Sequence, residues 1–368
     1  MRIDNHRVFW LALNFLVTDG YLSAGKALRY FDSEDKLLQP EASYLSSCQL
    51  SSQARQKILS GELVSRASFE VEKLRQKEYT LLSFKDSSYP ELLREIVEPP
   101  LVLYAYGQTD LLNQAAVAIV GSRHPTSYGR LVADKLADEL AACGLIVTSG
   151  LARGIDTLAH QGALRSGKTL AVLGSGLDRI YPRENRLLAE KIAAKGLVIS
   201  EFPLDSEPLS FHFPLRNRVL SGLSLACLVV EAGAKSGALI TARLALDQGR
   251  EVMAVPGPVT SELSRGTNLL IKHGAKLVES AEDIVSELPF PWNEAALSRL
   301  ASRKQVKPEL NEQEKKVMEA LPENSVIHID ELSDKIQISV GELLTVLLSL
   351  EMKETVIQEP GKFFRRRH

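Results

Sequence analysis

The chain has 368 residues, of which 45% are hydrophobic, and a formal net charge of −2. This length fits two or three domains with substantial cores, and the near-neutral charge means that any nucleic-acid site must be a local basic patch. Three scattered cysteines, Cys48, Cys143 and Cys227, form neither a disulfide pattern nor a metal cluster. We therefore expect a cytoplasmic protein without a bound metal.

Residues 1–75 are predicted to form a small domain of short helices. Apolar residues recur there at helical spacing, over residues 9–28 and again over residues 54–63. The apolar run Val8–Val17 lacks a convincing cleavage site, so we interpret it as the first helix rather than a signal peptide. No later run is long enough to cross a bilayer, and we expect no membrane partner.

Residues 76–290 are predicted to form a Rossmann-like domain, an α/β fold with a doubly wound, mostly parallel sheet. Strand and helix patterns alternate there with short loops, which is typical of repeated βα units. The strand candidates of the repeat are Ala116–Val120, Leu145–Thr148, Thr169–Leu173, Leu197–Ser200, Leu225–Val230 and Glu251–Ala254. Two shorter strands are predicted before the repeat, within residues 79–84 and 101–104. Such a sheet binds its ligand at the carboxyl ends of its strands.

Glycine, serine or a basic residue follows nearly every predicted strand. The segments at the strand ends are Gly121–Arg123, Ser149–Gly154, Gly174–Gly176, Glu201–Pro203, Glu231–Gly237 and Pro256–Gly257. Hydroxyls, free backbone N–H groups and arginines that converge on one edge of a sheet make a phosphate-binding surface. The alternative is that βα turns need small residues for their own geometry.

The turn after the first strand of the repeat combines Gly121, Ser122 and Arg123 and leads into a helix predicted over residues 130–142. Glycine would let a ligand approach the backbone, and the N-terminus of the helix would offer N–H groups to an anion. Arg123 would add a fixed positive charge. The alternative interpretation is a structural turn with a solvated arginine.

Two nucleotide-binding motifs are disfavoured by their context. The segment Gly162–Thr169 has the spacing of a phosphate-binding loop, but it closes a helix and enters a strand, which is the reverse of that loop's setting. Gly167 is therefore predicted to end the helix. The turn at Gly121 lacks the remaining glycines of a dinucleotide fingerprint, and Thr148–Ser149 stand where an acidic residue would hold a ribose. We expect no cofactor.

The segment Phe211–Arg218 places two phenylalanines beside two arginines and an asparagine. Single-stranded nucleic acid is recognised by such a set, because rings stack on bases and guanidinium groups bind phosphates. The alternative is a helix entry at Pro214, with the phenylalanines in the core and the arginines in salt bridges. The glycine-rich strand ends favour the nucleic-acid interpretation.

Residues 291–308 are polar and proline-punctuated and are predicted to be a linker before a winged-helix domain of residues 309–368. The predicted elements of that domain are helices at 312–321, 329–336 and 340–350 and wing strands at 355–358 and 363–364. The third helix has the position of a recognition helix but is nearly all apolar. We therefore expect a partner-binding or auxiliary DNA-binding surface, to which Arg365–Arg367 could add phosphate contacts.

A series of short motifs runs through the predicted α/β domain. The motifs are Gly121–Arg123, Ser149–Asp156, Tyr181–Pro182 with Asn185, Phe213–Arg218, Val229–Ala232 with Ser236–Gly237, Val255–Gly257, and Gly266–Asn268 with Gly274–Ala275. In this order they resemble the DNA-processing protein A family of bacteria, also called DprA or Smf. The resemblance covers about residues 79–288 closely, and the two ends resemble that family's helical, sterile-alpha-motif-like module and its winged helix.

The resemblance implies a protein that binds single-stranded DNA, protects incoming DNA in natural transformation and helps to load the recombinase RecA. It implies neither an enzyme nor a catalytic residue. By position, it implies a DNA-binding pocket of Gly121, Ser122, Arg123, Ser149, Gly150, Phe213, Arg216, Asn217, Lys235, Ser236 and Gly237. Some members carry a lysine just before the Phe-Pro pair, where this chain has His212, which could supply charge at lower pH.

The resemblance also implies a homodimer through the far end of the sheet. Its expected interface residues, Asn268, Leu269, Ile271 and Leu277, lie in a segment with an apolar face, and the same surface is expected to contact RecA. The alternative is a nucleotide-processing enzyme similar to the cytokinin-activating phosphoribohydrolases. The chain lacks the Pro-Gly-Gly-x-Gly-Thr motif of those enzymes near the later strand ends.

Overall fold

The computed structural model describes residues 4–305, 310–322, 325–353 and 355–366. It divides into two compact units, Met1–Leu300 and Ala301–His368. The first unit holds the larger sheet with its helices, and the second holds a three-stranded sheet with helices of its own. Among the described residues, no helix is both long enough and apolar enough to cross a membrane.

Short helices precede the larger sheet, as predicted. They are α1 (Asn5–Thr18), α2 (Ala24–Tyr30), α3 (Asp35–Leu38), α4 (Ala42–Ser47), α5 (Ser52–Leu59) and α6 (Glu62–Arg75). Helix α1 is buried along most of its length, from Val8 to Leu16. The core around it continues to Tyr104, Val198 and Leu204 of the sheet region. The helices predicted as a separate domain of residues 1–75 thus share one core with the sheet.

The larger sheet has nine strands among the described residues. They are β1 (Thr80–Ser83), β2 (Val102–Gly107), β3 (Ala116–Val120), β4 (Ile146–Ser149), β5 (Thr169–Val172), β6 (Leu197–Ser200), β7 (Ala226–Val229), β8 (Glu251–Ala254) and β9 (Lys276–Leu277). Their order is β1-β2-β6-β5-β4-β3-β7-β8-β9, and β3 to β9 are parallel, whereas β1 and β2 pair antiparallel at one edge. The prediction of a doubly wound, mostly parallel sheet is confirmed.

Helices cover both faces of this sheet, which is why its central strands are apolar on both sides. The helices are α7 (Glu91–Arg94), α8 (Ser127–Ala142), α9 (Ile155–Ser166), α10 (Arg186–Lys195), α11 (His212–Gly222), α12 (Gly237–Asp247), α13 (Arg265–Lys272) and α14 (Ala281–Ser286). Helices α8, α9 and α14 pack on one face, where Val117 and Ile119 point. Helices α11 and α12 pack on the other face, against Ala118 and Val120.

The segment 291–308, predicted as a linker, is helical over most of its described part. Helix α15 spans Trp292–Gln305, and residues 306–308 lie outside the described residues. Its side chains Ala296 and Leu300 are buried in the core beneath α8 and α14. Residues 292–300 are therefore packed in the core of the first unit rather than forming a free connector.

The second unit has the predicted winged-helix arrangement. Its elements are α16 (Glu312–Ala320), β10 (Ile327–His328), α17 (Ile329–Ile336), α18 (Val340–Met352), β11 (Val356–Glu359) and β12 (Phe363–Arg366), with the strand order β10-β12-β11. Helix α18 buries Leu343, Leu347 and Leu350 in a small core and exposes Leu344 and Leu348. Of the predicted basic tail, Arg367 lies outside the described residues.

Candidate nucleic-acid interface

The order of the strands places a crevice at the carboxyl ends of β3, β4 and β7. From β3 the chain moves outward to β4, β5 and β6, and it then returns to the other side of β3 with β7. The connections on the two sides of β3 therefore diverge, and ligands of open parallel sheets bind at such a switch point. The turns after these strands carry Gly121–Arg123, Gly150–Arg153 and Lys235–Gly237.

A cleft of about 580 Å³ occupies this position, and we call it the switch-point cleft. Its lining comes from the turns after β3 and β4, from α11 and from the start of α12. The lining residues are Val120, Gly121, Arg123, Gly150, Ala152, Asp156, Ser210, Phe213, Pro214, Arg216, Asn217, Leu220, Ser236, Gly237, Ala238, Ile240 and Thr241. Eight of the eleven predicted pocket residues are in this set, although the segments that contribute them are far apart in sequence.

The three remaining predicted residues are placed differently. Ser149 is fully buried, and its Oγ donates to the carbonyl of Ile119 at 2.7 Å, so it supports the sheet behind the cleft. Ser122 is also buried, and its Oγ accepts the N–H of His124 at 3.1 Å, which fixes the turn. Lys235 is exposed beside the lining residue Ser236. Ser122 and Ser149 thus each hold a backbone group of the protein, and their contact with DNA stays a prediction.

Arg123 stands over an aromatic ring at the mouth of the switch-point cleft. Its guanidinium carbon lies 5.8 Å from the ring centroid of Phe213, and Tyr181 approaches the same ring at 5.8 Å between centroids. Arg123 is exposed, and within the described residues it has no carboxylate partner. Tyr181 was not among the predicted pocket residues, although its motif Tyr181–Pro182 is part of the family resemblance. Its position as an aromatic residue close to the predicted strand-end loops was a usable signal for a place in the site.

Arg216 was predicted to bind phosphate on the rim, but its guanidinium is engaged within the protein. The side chain is 5% exposed, and its Nη1 donates to the carbonyls of Gly150 and Val172, the latter at 2.6 Å. Its Nε donates to Asn217 Oδ1 at 2.9 Å. Burial lowers the pKa of Arg216, and the Asp156 carboxylate opposes that shift. The residue therefore joins α11 to the turns after β4 and β5.

Gly121 and Gly150, in the turns after β3 and β4, make room for protein side chains in this structure. A Cβ on Gly121 would lie 2.6 Å from Cγ1 of Ile155, and a Cβ on Gly150 would lie 2.1 Å from Nη1 of Arg216. These distances are far below van der Waals contact. The close approach that each glycine permits is thus that of a neighbouring side chain.

The N-terminus of α8, predicted to receive an anion, is filled by a carboxylate of the chain itself. Glu231, which follows β7 and is 3% exposed, accepts the N–H of Thr126 at 2.9 Å and its hydroxyl at 2.5 Å. Gly129 in the first turn leaves the space that this carboxylate occupies. A helix N-terminus is a favourable place for one negative charge, and here it is already occupied.

A second buried carboxylate organises the turn after β4. Asp156 accepts the N–H of Gly150 at 3.1 Å and the N–H of Ala152 at 3.4 Å. Burial raises the pKa of Asp156, while the nearby Arg216 and these two hydrogen bonds oppose the shift. The backbone N–H groups of this turn are therefore directed at Asp156 and stabilise its charge.

Two smaller predictions concern Gly167 and His212. Gly167 is the C-cap of α9 and donates its N–H to Ala163 at 2.9 Å, so the prediction that it ends a helix is confirmed. His212 is buried and stacks on Phe202, with 4.0 Å between ring centroids. Burial lowers the pKa of His212 and so disfavours its charged form, while its contribution of charge at lower pH stays a prediction.

The predicted dimer residues lie at the far edge of the sheet, on α13 and β9. Leu269 and Leu277 are 45% and 40% exposed, and Ile271 is half-buried. Asn268 instead holds a turn, since it donates to the carbonyl of Gly257 at 3.0 Å and accepts the Gly257 N–H at 3.3 Å. Strand β9 is the last strand of the sheet and pairs only on its β8 side among the described residues.

Comparison with known sequences agrees with this arrangement. The sequence model of DNA recombination-mediator protein A matches residues 80–289, and that of the DprA winged helix domain matches residues 301–362. The chain belongs to the DNA recombination-mediator protein A family. The family resemblance predicted from the motifs is thereby confirmed, and membership gives the chain a role in DNA processing and recombination.

Curated relatives extend the similarity over most of the chain. Protein Smf of Escherichia coli (strain K12) is 39% identical over 300 residues, which are 80% of this chain and 79% of the relative. DNA processing protein DprA of Streptococcus pneumoniae is 38% identical over 292 residues, which are 79% of this chain and 100% of the relative. The Streptococcus pneumoniae relative is named for DNA processing, and neither name is that of an enzyme.

Two solved structures of the family are similar to this one. The X-ray structure of DNA processing protein A from Streptococcus pneumoniae gives a TM-score of 0.62 at 35% identity and covers 79% of this chain and 100% of that chain. The Helicobacter pylori protein gives a TM-score of 0.53 at 33% identity and covers 57% of this chain and 94% of that chain. The latter structure is described as giving insight into that protein's unique single-stranded DNA binding mode.

Proposed function

We propose that this chain is a single-stranded DNA-binding recombination mediator whose DNA site is the switch-point cleft. The observation that carries the proposal is the pairing of the exposed Arg123 guanidinium with the rings of Phe213 and Tyr181 at the mouth of that cleft. Rings of this kind stack on unpaired bases, and a free arginine beside them binds the phosphate backbone. The Helicobacter pylori relative is described as binding single-stranded DNA.

Lys235 is proposed as a second phosphate-binding cation. It follows β7, whereas Arg123 follows the adjacent strand β3, and parallel strands bring their carboxyl ends to the same edge. Both side chains are exposed, and neither has a carboxylate partner among the described residues. Two cations across one crevice can bind successive phosphates of a single strand.

The finer biological role is proposed from the family resemblance. The protein would protect incoming DNA during natural transformation and help to load RecA onto it. The exposed leucines of α13 and β9 support a further proposal, namely that this edge forms a homodimer contact and also contacts RecA. An open sheet edge with apolar neighbours is suited to pairing with a second chain.

A nucleotide-processing activity of the phosphoribohydrolase type is the alternative. The position of Glu231 argues against it, because this carboxylate fills the helix N-terminus where a nucleotide phosphate would bind. Assaying for free base released from nucleoside monophosphates tests the alternative directly. Base release would support an enzyme, whereas tight DNA binding without release favours the mediator.

The test of the proposed function is competition between single-stranded and double-stranded DNA over a series of salt concentrations. We expect clear preference for the single strand and a logarithmic affinity that falls linearly with the logarithm of salt concentration, because phosphate contacts release counterions. Equal and weak binding of both forms would contradict the proposal.

A further inference from the structure

A second and larger cleft, of about 870 Å³, lies beside the switch-point cleft in the first unit. It is formed by the segment before β1, by β2 and by the loop between β5 and α10. Its lining includes three tyrosines and three arginines: Tyr79, Tyr106, Tyr181, Arg179, Arg183 and Arg186. We call it the tyrosine cleft.

The two clefts are connected through Tyr181. A narrow depression lined by Arg123, Phe213 and Tyr181 separates them. Arg123 and Phe213 also line the switch-point cleft, and Tyr181 also lines the tyrosine cleft. A DNA single strand that extends from the Phe213 ring therefore reaches Tyr181 next, and from Tyr181 it can enter the tyrosine cleft.

The aromatic residues of the tyrosine cleft suit the bases of such a strand. Tyr79 and Tyr106 are half-buried and form an edge-to-face pair with 5.2 Å between ring centroids. Burial and the Asp178 carboxylate raise the pKa of Tyr79 to about 12, so its hydroxyl adds no negative charge at neutral pH. Partly exposed tyrosine rings bind bases of any sequence by stacking.

The charges of the cleft suit the phosphates. Four cations and three carboxylates line it. Two arginines form exposed surface pairs, Arg179–Glu207 and Arg186–Glu190, whereas Lys77 pairs with the partly buried Asp178. Exposed pairs of this kind are weak, so a guanidinium group can exchange a carboxylate for a phosphate at little cost. Arg183 is exposed and has no carboxylate partner among the described residues, and it supplies the excess positive charge.

We propose that the tyrosine cleft binds the continuation of the single strand whose first nucleotides occupy the switch-point cleft. This inference rests on the proposed function and extends its binding site. Phosphates of the continuing strand contact Arg183, and its bases stack on the rings of Tyr79, Tyr106 and Tyr181. The DNA-binding site thereby extends over both clefts, with Tyr181 between them.

The test compares oligodeoxythymidylates of about 6 and about 20 nucleotides, lengths that bracket common single-stranded DNA site sizes. We expect Arg183→Ala to weaken binding of the longer strand about fivefold to tenfold and to leave the shorter strand unaffected. The salt slope for the longer strand should fall by about 0.7, the value for one phosphate contact. Arg123→Ala should weaken both lengths, because both occupy the switch-point cleft.

Lys191→Glu is the matched control, because Lys191 is an exposed residue of α10 that lines a different depression. It should leave both affinities unchanged, and all variants should keep the wild-type melting temperature. As a second measurement, a longer strand carrying 5-iododeoxyuridine beyond its sixth nucleotide should cross-link to peptides that contain Tyr79 or Tyr106. Cross-links confined to peptides of the switch-point cleft would overturn the proposal.

Three further outcomes distinguish this inference from the function on which it rests. If Arg183→Ala weakens both lengths equally or neither, the continuing path is wrong while the switch-point site stands. If thymidine monophosphate binds in an Arg183-dependent way but the longer strand does not, the tyrosine cleft is a site for free nucleotides and the proposal fails. If the wild-type protein binds neither oligonucleotide, the proposed function itself is overturned together with this extension.

Discussion

Arg123 and Arg216 line the same cleft, but the surroundings of their guanidinium groups differ. Arg123 is exposed beside an aromatic ring, whereas Arg216 is buried and donates to two backbone carbonyls. A free guanidinium group is available to a ligand, and one that satisfies buried carbonyls is not. The two residues therefore make separable predictions.

Substituting Arg123 by alanine is expected to weaken single-stranded DNA binding by about 1 to 3 kcal/mol, the range for a charge-assisted contact. Lys235→Ala should act in the same direction. Each substitution should reduce the salt slope by about 0.7, and neither should change thermal stability, because neither side chain fills a core. If Arg123→Ala lowers the melting temperature and leaves the salt slope unchanged, Arg123 is structural and the DNA site lies elsewhere.

Arg216→Ala is expected to reduce the free energy of unfolding of the first unit by roughly 2 to 4 kcal/mol, because it leaves buried carbonyls of Gly150 and Val172 without donors. Chemical denaturation measures this loss. Arg216→Lys should recover little of it, since a lysine has only one nitrogen and cannot donate both to these carbonyls and, as Nε does, to Asn217 in the fixed geometry of the guanidinium group. A variant that binds DNA poorly but unfolds like the wild type would contradict the structural role given to this residue.

At the level of elements, helix α16 is joined to α18 by one buried carboxylate. Glu314 accepts from Ser349 Oγ at 2.7 Å, from Lys353 Nζ at 2.6 Å and from the N–H of Asn311 at 2.7 Å. These contacts, with the one to Lys353 the largest, hold the pKa of Glu314 down to about 2. The winged-helix unit is thus stabilised by a charge on its first helix.

The stability of the second unit should consequently depend on pH in the acid range. A carboxylate with a lowered pKa in the folded state contributes stability that is complete above its ordinary pKa of 4.5 and is lost as the pH falls toward about 2. Glu314→Gln should destabilise the unit at pH 7, and the difference from wild type should shrink toward pH 2. Methyl NMR signals of the core residue Leu347 report this unit alone.

Glu312→Gln provides the control for that comparison, because Glu312 is an exposed carboxylate on the same helix that pairs only at the surface with Lys315. It should change stability little at any pH in this range. An equal destabilisation of Glu314→Gln at pH 7 and at pH 2 would show that the amide disturbs packing and that the charge of Glu314 is not responsible.

Most elements were predictable because their signals are local. The apolar strands from β3 to β8 lie within one residue of their predicted bounds, since buried strands of a parallel sheet are continuous apolar runs. Helix α15 was missed because prolines and charges dominated the segment. Its apolar residues Trp292, Ala296 and Leu300 recur every fourth residue, and that spacing was a usable helical signal.

Across the whole molecule, the convergence of the carboxyl ends of β3, β4 and β7 was predictable from the sheet topology. The carboxylate at the N-terminus of α8 was not predictable. Glu231 accepts from Thr126, the N-cap residue of α8, across 105 residues of sequence. A capping carboxylate near its helix leaves a motif in the sequence, whereas one this distant leaves none. The burial of Arg216 could not be predicted either, because it depends on the packing of α11 against the ends of β4 and β5.

The edge of the sheet at β9 is the predicted homodimer contact. Leu277→Asp places a charge on the exposed edge strand β9 and is expected to convert a homodimer into monomers, which light scattering detects. The monomer should retain some DNA binding, because the switch-point cleft is at the other side of β8, and it should lose RecA loading. A variant that remains dimeric would show that the contact lies elsewhere on the surface.

Because the N-terminal helices share a core with the sheet, they cannot complete their packing until the later part of the chain has been synthesised. Glu70 of α6 is 5% exposed and accepts the N–H of Leu204, a residue 134 positions later in the sequence. At common rates of translation of about 5 to 20 residues per second, the first helices wait roughly 7 to 27 s for the partner against which they bury their apolar sides. We therefore expect the apolar sides of these helices to stay accessible to chaperones on the ribosome for that time.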